Sequence, residues 1–111
     1  MKKTTVYTVK TKRLPKTKKL KATTYKYVDP VEGYEFEKCG LTLHVYKFAP
    51  GQWYVIDPLT GAALGMTYDT RAKALEYGAS ETRCSRLSEY RKTDEYANLR
   101  LQFTELKEAI Q

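Results

Sequence analysis

The most regular pattern in the chain is an alternation over residues 41–48. Leu41, Leu43 and Val45 fall on one face, and Thr42, His44, Tyr46 and Phe48 on the other. A period of two predicts a β-strand. Ala49-Pro50-Gly51-Gln52 reads as a turn and Trp53-Tyr54-Val55-Ile56-Asp57 as the returning strand, so 41–57 predicts a hairpin. Pro58-Leu59-Thr60-Gly61 makes a second tight turn, and Ala62 to Tyr68 can form a third, short strand.

Upstream, residues 4–10 and 20–28 are rich in Thr, Val and Tyr and also read as strands. The segment between them contains Pro15, which cannot donate to a ladder. Tyr7, Val9, Tyr25 and Val28 give both flanks something to pack, which favours a long hairpin with its tip near Pro15 over a loose arm followed by one strand. Asp29-Pro30-Val31-Glu32-Gly33 carries turn-forming residues and reads as a turn or linker.

From Asp69 onward the period becomes helical. Asp69 or Thr70 is a suitable N-cap, Ala72, Leu75 and Ala79 follow at helical spacing, and Gly78 with Ser80 can end one helix and cap the next. Cys84 and Leu87 continue an apolar face. Thr93-Asp94-Glu95 is a stronger start signal, with a cap and acids in the first turn. Tyr96, Leu99, Phe103, Leu106 and Ile110 follow as a stripe at steps of 3, 4, 3 and 4. This stripe is expected to pack on the chain's own sheet, and the 96–110 helix could alternatively form a homodimer seam. Leu101 lies off the stripe. Strands followed by helices give an α+β class. The expectation is an N-terminal antiparallel sheet of hairpins and meander, then two or three C-terminal helices, with strands in 41–68 and helices in 70–110.

Charge divides the chain in a way the hydrophobic pattern does not. Residues 1–28 hold ten Lys and Arg and no acid. Residues 29–111 hold the other ten bases and all 13 acids, so +10 and −3 give the net +7. The reading is a basic hairpin or arm over 1–28 joined to a small, slightly acidic body over 29–111. Such asymmetry points to a polyanion: nucleic acid, an anionic membrane surface, or an acidic protein surface; nucleic acid or an acidic protein or ribonucleoprotein surface is expected, and no membrane partner. The candidate contacts are Lys10, Lys12, Arg13, Lys16, Lys18, Lys19, Lys21, Tyr25, Lys26 and Tyr27. The cations would neutralise phosphates and the tyrosines would stack on unpaired bases.

Other chemistry is sparse. No glycine cluster has phosphate-loop spacing with a following Lys-Ser or Lys-Thr. His44 is the only histidine and reads as a strand residue that is hydrogen-bonded or solvated. Glu35 and Glu37 read as local counter-charges to the basic segment. Cys39 and Cys84 are expected to be reduced thiols, and no metal or other cofactor is expected. Among the aromatics of 41–68, Trp53 is expected in the core. No apolar run is long enough to span a membrane, and the start Met-Lys-Lys-Thr-Thr-Val lacks the apolar stretch of a signal peptide, so a cytosolic site is expected.

Two function classes follow. The first is a small non-enzymatic nucleic-acid-binding accessory protein of a bacterial or phage-infected cytosol. The second is a phage or mobile-element protein, anti-CRISPR-like, that inhibits a host nucleic-acid enzyme by pressing the basic segment into an acidic groove.

Overall fold

The computed structural model describes residues 1–14 and 23–110. Its architecture is α+β: a four-stranded antiparallel sheet in the order β1-β2-β3-β4, followed by helices. The strands are β1 (Lys2–Leu14), β2 (Thr23–Lys38), β3 (Leu41–Ala49) and β4 (Gln52–Ile56). The sheet is a plain meander, each strand pairing with the next in sequence.

The N-terminal segment is the expected long hairpin, with Lys2 opposite Glu35 at one end and Leu14 opposite Thr23 at the other. Its length differs from expectation. Asp29–Gly33 is not a turn, and β2 runs through it without a break. Two local features explain why turn-forming residues sit inside a strand. β3 pairs only with residues 34–38, so at Pro30 the strand has one neighbour, β1, where a residue without an N–H is tolerated. Gly33 marks a close approach: a Cβ there would lie 2.5 Å from both the Val45 carbonyl oxygen and Val6 Cγ2. Without a side chain at 33, β1 comes down onto β3. Val6, Tyr46 and Ile56 then form a small core, with Val31 and Tyr54 packed against it.

On the opposite sheet face Leu43, Val45 and Val55 meet Ala74, Ala79 and Cys84, and this is the main core. Tyr34, Phe36 and Trp53 pack against it, partly buried, so Trp53 belongs to the core as expected. Strand alternation produces the two cores: Val45 and Tyr46, or Val55 and Ile56, are neighbours that face opposite ways.

The β3–β4 hairpin stands as the alternation predicts, with a register shift between Lys47 and Ala49. The third short strand expected over 62–68 does not form. That segment follows β4 through two isolated bridges only, Ile56 to Ala63 and Trp53 to Tyr68. Between them the Leu64 carbonyl accepts from Arg83 Nη1 at 3.4 Å, so a helix side chain binds the segment's backbone where a ladder would continue.

The helices begin where the capping residues predicted. The first, α1 (Arg71–Lys73), continues as a π-helical turn over Ala74–Gly78; Thr70 caps it by accepting from Lys73 N at 3.2 Å. In α2 (Glu81–Tyr90) the cap is Ser80, accepting from Arg83 N at 3.3 Å. In α3 (Asp94–Glu108) it is Thr93, accepting from Tyr96 N at 3.2 Å. The α3 stripe turns inward: Tyr96 and Phe103 are buried, Leu99 and Leu106 are half-buried, and Ile110 and Leu101 are exposed. Phe103 packs where the hairpin meets the 57–61 turn, since a Cβ at Gly61 would fall 2.9 Å from both Phe103 Cε1 and Val9 Cγ2. Lys107 adds a cation 4.5 Å from the Tyr7 ring centroid. No helix among the described residues is long and apolar enough to cross a membrane.

Candidate functional site

The β1–β2 register decides how the basic residues are distributed. Directly opposed residues of an antiparallel pair point to the same face. Lys10 faces Tyr27 and Lys12 faces Tyr25, so these four share one face of the hairpin. Thr11 opposite Lys26 and Arg13 opposite Thr24 lie on the other face. The expected contact residues are therefore split: Lys10, Lys12, Tyr25 and Tyr27 come together, while Arg13 and Lys26 point away. Lys16, Lys18, Lys19 and Lys21, with the tip near Pro15, lie outside the described residues.

Within the shared face, Tyr25 and Tyr27 are exposed, their ring centroids 6.1 Å apart and their planes tilted by 47°. Lys10 forms an ion pair with Asp29, which moderates its charge. Among the described residues Lys12, Arg13 and Lys26 form no ion pair. The exposed end of the hairpin thus keeps cations in water, available to a counter-charge.

A concavity of about 400 Å³ adjoins this face, lined by Lys10, Tyr46, Phe48, Tyr54 and Ile56 together with the 61–65 segment. Lys10 belongs to both. Tyr46 and Tyr54 stack with centroids 5.9 Å apart, and exposed Phe48 meets Tyr54 edge-on at 5.8 Å. Burial raises the Tyr46 phenol pKa, with the neighbouring Tyr54 adding to it, so the ring is neutral at physiological pH.

No periodicity or motif singles out Asp57, yet its carboxylate organises the end of β4. Its side chain is 1% exposed. Oδ1 accepts from Leu59 N at 3.1 Å and Arg91 Nη2 at 2.7 Å; Oδ2 accepts from Thr60 Oγ1 at 3.2 Å and Tyr96 Oη at 2.7 Å. Burial, followed by the Asp57 hydrogen bond and charge, pushes the Tyr96 pKa up to about 12. For Arg91, burial works against the charge, but the Asp57 hydrogen bond and charge win and its pKa is raised. The Asp57 carboxylate is thus fully satisfied and ties the end of β4 to α2 and α3, while Arg91 Nε is buried without a partner among the described residues. The one local signal for it was an Asp-Pro-Leu-Thr-Gly turn after a buried strand, since an Asp there hydrogen-bonds its own backbone two residues on.

The remaining candidates have structural settings. His44 is buried, its Nε2 3.2 Å from Glu35 Oε1, and its Nδ1 has no partner among the described residues. Cys39 is exposed on the β2–β3 turn and Cys84 is buried under α2, both as free thiols. Burial raises the Cys84 pKa, with the neighbouring Cys39 adding to it. Among the described residues no group of three or more His, Cys, Asp or Glu is placed to hold a metal ion.

Searches with protein-family models, against curated proteins and against solved structures match nothing to this chain.

Proposed function

We propose that this protein is a non-enzymatic nucleic-acid-binding accessory protein that engages its ligand with the exposed end of the β1–β2 hairpin. The observation that carries the reading is the register that gathers Lys10, Lys12, Tyr25 and Tyr27 on one exposed face. Lysines that neutralise phosphates release counterions on binding, and tyrosines offer flat apolar surface to bases. Lys16, Lys18, Lys19 and Lys21 add four further cations in the sequence between β1 and β2.

The test is nucleic-acid affinity measured across salt concentrations. Affinity should fall steeply with salt, and alanine at Lys10, Lys12, Lys16 and Lys18 together should flatten that dependence. A salt slope unchanged in the fourfold variant would overturn the reading.

One observation favours the inhibitor reading instead. β1 is an outer strand, and away from Tyr7 and Val9, where the 57–61 turn approaches it, its edge could pair with a strand of a target protein. Its energy would then concentrate in a few anchors, with Arg13 and the tyrosines foremost, rather than spread over lysines.

A further inference from the structure

Given the nucleic-acid reading above, on which this inference rests, we infer that the ligand is single-stranded, and that its bases run from Tyr25 and Tyr27 into the concavity floored by Tyr54 and Phe48. The exposed rings are the first reason. Tyr25, Tyr27 and Phe48 are 42%, 37% and 53% exposed. A duplex presents phosphates outward and keeps its bases stacked inside, so these rings would find no partner on it. An unpaired strand offers a π-face with every base.

Spacing is the second reason. Residues two apart on a strand face stand about 6.6–6.8 Å apart along the strand. The measured separation of the Tyr25 and Tyr27 rings is 6.1 Å. Stacked bases in a duplex repeat every ~3.4 Å along each strand. Neighbouring rings at nearly twice that interval suit bases that have been drawn apart, one to a ring.

Continuity is the third. Lys10 lines the concavity and shares the hairpin face with Lys12, Tyr25 and Tyr27. Lys12 beside the tyrosines and Lys10, paired with Asp29, at the concavity therefore border a path whose floor is aromatic at both ends, from the hairpin tyrosines to Phe48 and Tyr54. A lysine-flanked groove with successive aromatic platforms is how sequence-tolerant single-strand binding works.

The experiment uses the full chain and fluorescein-labelled oligonucleotides: a mixed-sequence 15-mer as RNA and as DNA, and the 15-mer duplex, read by anisotropy at fixed salt. The single strands should bind at least tenfold more tightly than the duplex. Tyr25→Leu with Tyr27→Leu, which keeps apolar bulk but removes the rings, should weaken single-strand binding at least tenfold. Duplex binding should change by less than twofold. Phe48→Leu should give a smaller loss, about fivefold, on single strands only. The Tyr25→Phe, Tyr27→Phe variant keeps the rings and should bind like the parent, which separates stacking from hydroxyl contacts and from misfolding. Equal affinity for duplex and single strands, with a lysine-dependent salt slope, would overturn this inference and leave the nucleic-acid reading standing. Binding to neither form would overturn both.

Discussion

Charge is handled in opposite ways at Asp57 and at the exposed end of the hairpin. Asp57 is sealed from water and each carboxylate oxygen is satisfied, by Arg91 and Leu59 N on one side and by Tyr96 and Thr60 on the other. Lys12, Arg13 and Lys26 stand in solvent and pair with nothing among the described residues. A buried, paired charge holds structure together, because removing either partner strands the other. An exposed cation does little for folding and remains available to a ligand. Stability and binding should therefore separate cleanly between the two regions.

The strongest test of that separation is Arg91→Met. It leaves Asp57 buried without its cation and should cost about 3–5 kcal/mol of unfolding free energy by denaturant titration. Nucleic-acid affinity per folded molecule should not change; if it falls in proportion, the two regions are coupled. Phe103→Ala, beneath the hairpin, should cost a similar 3–5 kcal/mol if the pocket cannot collapse. Loss of an oligomer at unchanged melting temperature would instead make α3 an interface. Gly33→Val forces a side chain against Val6 and the Val45 carbonyl and should cost about 1–3 kcal/mol.

A further test is one of pH. The folded-state pKa of Tyr96 lies above its unfolded value of 10.0, at about 12. The neutral phenol is thus favoured by folding. Its contribution is complete below pH 10 and is lost as pH rises through about 12. Tyr96→Phe should abolish that part of the alkaline stability loss, measured as the difference between the two proteins' stability curves over this window. The smallest effect on folding belongs to Lys12→Ala, expected within about 0.5 kcal/mol of the parent. It should still reduce the salt slope of binding, by about 0.7 on single strands.

What could be read from the sequence was what neighbours in the chain decide. The alternation at 41–48, the caps at Thr70, Ser80 and Thr93, and the stripe from Tyr96 to Phe103 all depend on residues within a turn or two, and all led to the right elements. Pro30 and Gly33 misled because their local preference is for turns, whereas their use here is set by what lies beside the strand: β1 alone, with no β3 partner, at Pro30, and Val6 with Val45 at Gly33. Asp57 escaped notice because Arg91 and Tyr96 are 34 and 39 residues away, beyond any periodicity. The candidate site lies between these cases. Its charge was legible, but the division into one face with Lys10, Lys12, Tyr25 and Tyr27 and another with Arg13 and Lys26 needed the register.

The turn joining β2 to β3 has a practical use. Its two central residues, Cys39 and Gly40, both have positive φ, at 54° and 77°, so the exposed thiol is carried on a short, conformationally fixed loop. The protein's other thiol is buried and its pKa is raised, which slows alkylation at neutral pH. A maleimide dye should therefore attach at Cys39 alone, with no cysteine added or removed. Cys39 follows the end of β2 remote from Tyr25 and Tyr27, so the fluorophore would report tumbling and proximity without covering the tyrosine face.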